Sequence, residues 1–347
     1  MGRVSKRSTC LSPYFLNITD DCADKSTMVD SIPNQVLHYV IADKIADSRS
    51  GNIYKAWDTV LERFVAIRFL DPELMQHKSY RAQVLGTLRA LADTDHPNIC
   101  SLYGVHKDDE RCFVAMELIE GRTVREVLRG GAIDNDIFLV WAARVASALN
   151  HVHQRHIIHG NLTPDNIMIR EDGELRVMNF GFSTLPVERE DSQFEPSLES
   201  VRYRSPEQIT GEEVTPLTDL FSAGAVFYEA LSGYPAFPGN SRHIIEEAIL
   251  HTDPDFDRLL PDQNTPGDTV LVLEKLLAKD PSDRFHNTAQ FQVSMTEIAA
   301  FEKEDGSRRL NEPFLSVKPR TPKQYLMISV LAALLVIFWL VITTIPR

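Results

Sequence analysis

Cysteine is scarce. The 347 residues hold four, Cys10, Cys22, Cys100 and Cys112, widely spaced and without a C-x-x-C pair. That spacing argues against a zinc site and a disulfide framework, and reduced thiols in a cytosolic domain are expected. Basic residues are in deficit, with 36 Lys and Arg against 49 Asp and Glu, a formal net charge of −13. From Tyr325 onward there is one charge, Arg347, so residues 1–324 hold 35 basic and 49 acidic side chains, and 35 − 49 = −14. That balance argues against nucleic acid as a main partner. Glutamate is missing between Glu73 and Glu110, which excludes it from any helix inside that window. Apolar material is ample, at 43% hydrophobic residues, in a length that suits about two domains.

Residues 1–35 mix Ser, Thr, Asp and isolated apolar side chains without periodicity and read as a mostly disordered leader. Leu11 to Ile18 is too short, and too interrupted by Pro13 and Asn17, for a signal peptide. Lys6 stands where a myristoylation signal at Gly2 needs Ser or Thr.

From Leu37 the pattern becomes one of short strands. His38 to Ala42 precedes a turn-rich stretch, Asp47 to Gly51, and Asn52 to Trp57 is extended again. Phe64 to Leu70 is the next strand, followed by an amphipathic helix over about Gln76 to Ala92 with Val84, Leu85, Leu88 and Leu91 inward. After His96-Pro97-Asn98-Ile99, strands are predicted at about Cys100–His106 and Arg111–Glu117. Asp134 to Arg155 carries apolar residues at helical spacing, with Asp134 as N-cap. His151, His153, His156 and His159 crowd together, but no acidic or cysteine ligand accompanies them at a metal spacing, so no metal is expected.

The next stretch organises the chain: His159-Gly160-Asn161-Leu162-Thr163-Pro164-Asp165-Asn166. It resembles the catalytic loop of protein kinases, H-R-D-L-x-x-x-N, whose Asp is the base and whose Asn holds Mg²⁺. Other motifs stand in the family's order. Gly51 and Ile53 match the end of the glycine-rich loop, with Ala46 and Ser48 at its first two glycine positions. Val65-Ala66-Ile67-Arg68 resembles V-A-I-K, and Asn179-Phe180-Gly181 resembles D-F-G. Tyr203 to Glu207 resembles A-P-E, Asp219 to Gly224 resembles D-x-W-S-x-G, and Lys279 to Arg284 resembles the late D-P-x-x-R segment. The chain thus resembles bacterial-type serine/threonine protein kinases over about residues 36–303.

The resemblance implies an α+β, two-lobed fold: a small β-rich lobe at 36–118 and a larger helical lobe at 119–303. It also implies lost chemistry. An amide takes up no proton near pH 7, so Asn161 orients a hydroxyl but is no base. Thr163 is a further altered position, Asn179 replaces the principal Mg²⁺ ligand, and only Asn166 is retained. Arg68 keeps the lysine's charge with a different reach, and no helix glutamate is available to pair with it. A weak nucleotide site is implied at Gly51, Ile53, Ala66, Arg68, Met116, Glu117 and Met168, with Glu117 opening the hinge. His159, Phe180, Gly181, Glu207, Asp219 and Arg284 are implied as fold residues. Glu207 would pair with Arg284, and Asp219 would hold the loop backbone. The segment between Gly181 and Ser205 is acidic, and Gly160 leaves no arginine to grip a phosphate there.

Residues 304–324 form a polar linker with Pro313, Pro319 and Pro322. Tyr325 to Ile345 is 21 residues without a charge, and as a helix spans roughly 32 Å against a hydrocarbon core of about 30 Å. Arg308, Arg309, Lys318, Arg320 and Lys323 precede it, which puts the kinase-like domain on the cytoplasmic side of a bacterial inner membrane. The expectation is a single-pass, membrane-tethered pseudokinase that binds or regulates a protein partner and requires no cofactor. ATP, if bound, is held weakly and without Mg²⁺. The alternatives are an atypical serine/threonine kinase and an ATP sensor without turnover.

Overall fold

The computed structural model describes residues 33–47, 51–108, 111–182, 197–259 and 265–304. The expected membrane span at 325–345, the linker from 305, the leader up to 32 and Ser48 lie outside the described residues, as does most of the acidic segment. Among the described residues no helix is long and apolar enough to cross a membrane.

The first lobe is an antiparallel sheet in the order β1-β2-β3-β4-β6-β5, from Gln35–Val36, Tyr39–Ala46, Ile53–Asp58, Arg63–Phe69, Leu102–Asp108 (β5) and Arg111–Glu117 (β6). Strict alternation along β3 buries Tyr54, Ala56 and Asp58 and turns Ile53, Lys55 and Trp57 outward. In β4 the four residues Val65 to Arg68 are all buried, as in a strand covered on both faces. One face packs Val36, Tyr39, Ala56, Val65, Ile67, Phe113 and Ala115 together. Helix α2 (Lys78–Ala92) covers the other, presenting Tyr80, Val84, Leu85 and Leu88 to Leu70, Val105 and Val114.

The single helix expected from Gln76 is two. Asp71 accepts the N–H groups of Glu73 (2.9 Å) and Leu74 (3.1 Å), and Pro72 opens a short α1 over Pro72–Gln76. The chain breaks at His77, which is extended, before α2 begins. The cysteine expectation is corrected for one residue. Cys100 is free but Cys112 is disulfide-bonded, because spacing along the chain does not determine which thiols meet in space.

The second lobe begins with β7 (Gly121–Thr123), which pairs with β8 (Ile167–Arg170), and β8 with β9 (Leu175–Val177). Its helices are α3 (Val124–Leu128), α4 (Asn135–His153), α5 (Leu198–Val201), α6 (Pro206–Thr210), α7 (Pro216–Ser232), α8 (Arg242–His251), α9 (Gly267–Leu276) and α10 (Thr288–Glu304). Asp134 holds the N-cap position of α4 but its side chain makes no capping bond. Helix α7 is the core of the lobe, buried from Thr218 to Tyr228. Gly224 lets α9 approach, since a Cβ there would come within 2.8 Å of Leu276 Cβ.

Candidate functional site

The loop from His159 to Asn166 is held from below by α7. Asp219 lies in its first turn, fully buried, where Oδ1 accepts Gly160 N–H at 2.7 Å and Oδ2 accepts His159 N–H at 2.8 Å. His153 Nε2 stands 2.7 Å from the same Oδ2, and His153 Nδ1 reaches Thr288 Oγ1. Burial alone would raise the Asp219 carboxyl, but the hydrogen bond and charge of His153 and the backbone donors hold it below its usual range. The neighbouring His159 is buried too, which pushes its pKa down despite the Asp219 charge. Asn161 N–H donates to its Nδ1 (3.2 Å), so Nε2 carries the proton and donates to Met178 O at 2.9 Å. Phe180 meets this ring edge-on at 4.7 Å.

Above the loop, the positions that resemble metal ligands face each other. Asn179 Nδ2 donates to Asn166 Oδ1 at 2.6 Å, and Asn166 Nδ2 donates to Asn161 O at 2.8 Å. Arg68 Nη2, from β4 of the other lobe, donates to Asn179 Oδ1 at 2.7 Å. Both atoms of each amide are therefore engaged. Asn179 sits at φ 67, a left-handed conformation that Asn accepts more readily than most side chains. Arg68 is 1% exposed, with Phe182 stacked 4.5 Å from its guanidinium. Burial pulls its pKa down to about 10, so it remains cationic at neutral pH. A Mg²⁺ ion does not fit this donor set: the two amides already bond to each other, and the charged group bonded to Asn179 is a cation.

The other sequence-predicted positions are dispersed around the cleft. Gly51 has φ 125, and a Cβ there would lie 1.5 Å from Phe69 O, so only glycine is accommodated. Ile53 starts β3 and pairs with Arg68. Ala66 and Met116 are cross-strand partners, while Met168 is half-buried in β8, paired with Thr123 and Arg176. Asn161 is exposed, Thr163 buried. Gly181 lies against α2, a Cβ there coming within 2.8 Å of Thr87.

Glu207 and Arg284, 77 residues apart, form a buried bidentate pair at 2.8 and 2.9 Å. The rest of the guanidinium donates to the carbonyls of Ala278 (2.9 Å), Leu217 (3.0 Å) and Lys279 (3.0 Å), which engages all five N–H groups. Thr218 Oγ1 donates to Glu207 Oε1 at 2.8 Å. Burial would raise the Glu207 carboxyl, yet Arg284 holds it below its usual range.

Three functional partners escape the sequence reading. His153, weighed only as a metal ligand, is the imidazole that meets Asp219. Arg170 and Arg176 converge on the Glu117 carboxylate, at 3.1 and 3.5 Å. Nothing local in the sequence signals either contact, since the partners are 53 to 66 residues apart or lie on separate strands. Among the described residues, no group of three or more His, Cys, Asp and Glu side chains could hold a metal.

Residues 39–295 match the profile of the protein kinase domain. The serine/threonine-protein kinase PrkC of Bacillus subtilis (strain 168) is 29% identical over 282 residues, which cover 81% of this chain and 42% of that protein. The serine/threonine-protein kinase PknB of Mycobacterium leprae is 28% identical over 269 residues, 75% of this chain and 43% of that one. The chain thus spans less than half the length of these curated relatives. Among solved structures, the PknI kinase domain of Mycobacterium tuberculosis superposes with a TM-score of 0.60 at 20% identity, over 76% of this chain and 97% of that one, a likeness of fold alone. With its two lobes, its ordered motifs and a matched stretch covering most of its length, the chain belongs to the protein kinase domain family, and the two curated relatives named above are bacterial serine/threonine kinases.

Proposed function

We propose that this kinase-fold chain is a pseudokinase, a binding or scaffolding module for a protein partner with little or no phosphoryl transfer. In this reading residues 325–345 tether it to a membrane, with the domain on the cytoplasmic side. The observation that carries the reading is the chain Arg68–Asn179–Asn166, in which the metal-ligand positions are neutral amides engaged with each other and with a buried cation. The exposed Asn161 supports it from the other side of the reaction, because an amide there offers no base.

The direct test incubates the full chain with labelled Mg·ATP and a generic protein substrate. A positioned base is worth roughly 10²–10⁴-fold and a metal several kcal/mol more. A typical kinase rate of about 1–100 s⁻¹ should accordingly fall below detection. Robust Mg²⁺-dependent labelling, abolished by Asn166→Ala, would sink the reading.

An atypical kinase is the second reading, favoured by the retention of Asn166 within the loop and by the names of the relatives. Thermal shift separates it from an ATP sensor. A ligand at about 100 times its Kd stabilises by about 2.7 kcal/mol, worth several degrees in a domain of this size. Millimolar ATP is expected to give much less, and equally with magnesium or chelator. A large shift that needs magnesium puts the atypical kinase first. A large shift indifferent to chelator, lost in Arg68→Ala, makes the protein a sensor.

A further inference from the structure

Among the described residues, three of the ties between the lobes bear on the cleft, beside contacts such as His96 Nε2 with Ser147 Oγ at 3.1 Å and Gly181 against Thr87. The first is a pivot, where Ile99 bridges Val177 of β9. Around it Cys100 N–H donates to Val177 O (2.9 Å), Val177 N–H to Asn98 O (2.8 Å) and Asn98 Nδ2 to Leu175 O (3.0 Å). The second is the hinge. Glu117 ends β6, and its Oε1 takes Arg170 Nη1 of β8 at 3.1 Å and Arg176 Nε of β9 at 3.5 Å. Its Oε2 meanwhile accepts Ser101 N–H at 3.2 Å. The third is the Arg68–Asn179 bond at 2.7 Å, extended by Asn166 into the catalytic-type loop.

Two rigid bodies joined at two points keep one rotation, about the line through those points. About pivot and hinge, such a rotation would part β4 from the chain after β9. A contact off the line removes it. We propose that the Arg68–Asn179 bond is a latch that holds the cleft shut without any ligand, so that the surface spanning both lobes is preformed. The proposal rests on the non-transferring reading of the cleft, since an enzyme that turns over must open to exchange nucleotide. The site of the bond suits the task. Arg68 is buried beneath Phe182, and Phe182 packs on the cluster of Leu70, Val84 and Leu88. Opening would separate a charged donor from its acceptor where little water can replace it, and such bonds are stronger in that setting than at a surface. The glutamate-free window leaves α2 no glutamate with which to draw Arg68 away.

The test places donor and acceptor dyes, through unnatural amino acids, at Leu61 and Leu271 of the full chain, which are 59% and 61% exposed. Single-molecule energy transfer without ligand is expected to show one population, unmoved by millimolar Mg·ATP. Asn179→Ala removes this one acceptor and should raise the open-to-closed ratio roughly 10- to 100-fold, the factor carried by a hydrogen bond to a charged group. A second population of lower transfer then appears. Asn179→Asp keeps an acceptor for Arg68 and should remain as one population. Arg68→Lys keeps the charge but loses the reach and should open, which provides a second variant if Asn179→Ala does not fold. Two populations in the unaltered chain would overturn the latch, as would Asn179→Ala or Arg68→Lys indistinguishable from it. Phosphate transfer is a separate readout. A chain that transfers phosphate with turnover removes the scaffold reading and the latch with it, whereas one that opens freely without transferring removes the latch alone.

Discussion

Arg284→Ala is expected to destabilise the second lobe by about 3–5 kcal/mol, because it leaves the Glu207 carboxylate buried and unpaired. The side chain is 1% exposed and directs five donors at one carboxylate and three carbonyls, so neither solvent nor a neighbour can replace it. At about 2–4 °C per kcal/mol for a body of this size, the melting temperature should fall by roughly 6–20 °C. Glu207→Gln should cost less, since the amide still offers an oxygen to the guanidinium. A melting temperature unchanged in Arg284→Ala would remove the pair from any account of the fold. The pH dependence follows from the depressed Glu207 carboxyl. Its stabilisation is present above the unfolded pKa of about 4 and is lost as pH falls through the lower folded value.

Asp219→Asn should have the second-largest effect, about 3 kcal/mol, by the same logic of a buried charge network broken at one partner. The carboxylate accepts two backbone N–H groups and meets His153, and an amide would turn a donor towards donors. Its folded pKa is also depressed, so its contribution is present above about pH 4 and lost as pH falls through the folded value. Urea denaturation at neutral pH and near pH 3 checks this. The unaltered chain should lose much of its stability on acidification, and Asp219→Asn should lose less, having lost that contribution already. Equal acid sensitivity in the two proteins would exclude Asp219 as a source.

Periodicity and motif order made the two lobes legible, because they are properties of adjacent residues. The buried face of α2 was foreseen from Val84, Leu85, Leu88 and Leu91. The break at His77 was not, although Asp71-Pro72 carries the signal of an earlier helix start. That amides stand at Asn161 and Asn179 is readable because it is a matter of residue type alone. Their spatial arrangement is not: Arg68 and Asn179 are 111 residues apart, and no spacing rule couples β4 to the chain after β9. The assignment of Glu117 as a plain hinge residue missed its side chain for the same reason, since Arg170 and Arg176 reach it from the other lobe. For His153, the cluster of four nearby histidines gives no sign of the carboxylate it meets, 66 residues away.

The left-handed backbone at Asn179 has a consequence for the history of such a site. Aspartate and asparagine both tolerate that conformation, and their codons differ only in the first base. A charged metal ligand and a neutral amide are thus neighbours in the genetic code at a position whose chain trace suits either. Drift between a site that can grip a cation and one that grips its own arginine would need no insertion, no rebuilt turn and no repacked core. The return journey is as short at this position, so a lineage carrying such a chain keeps the aspartate within one mutational step.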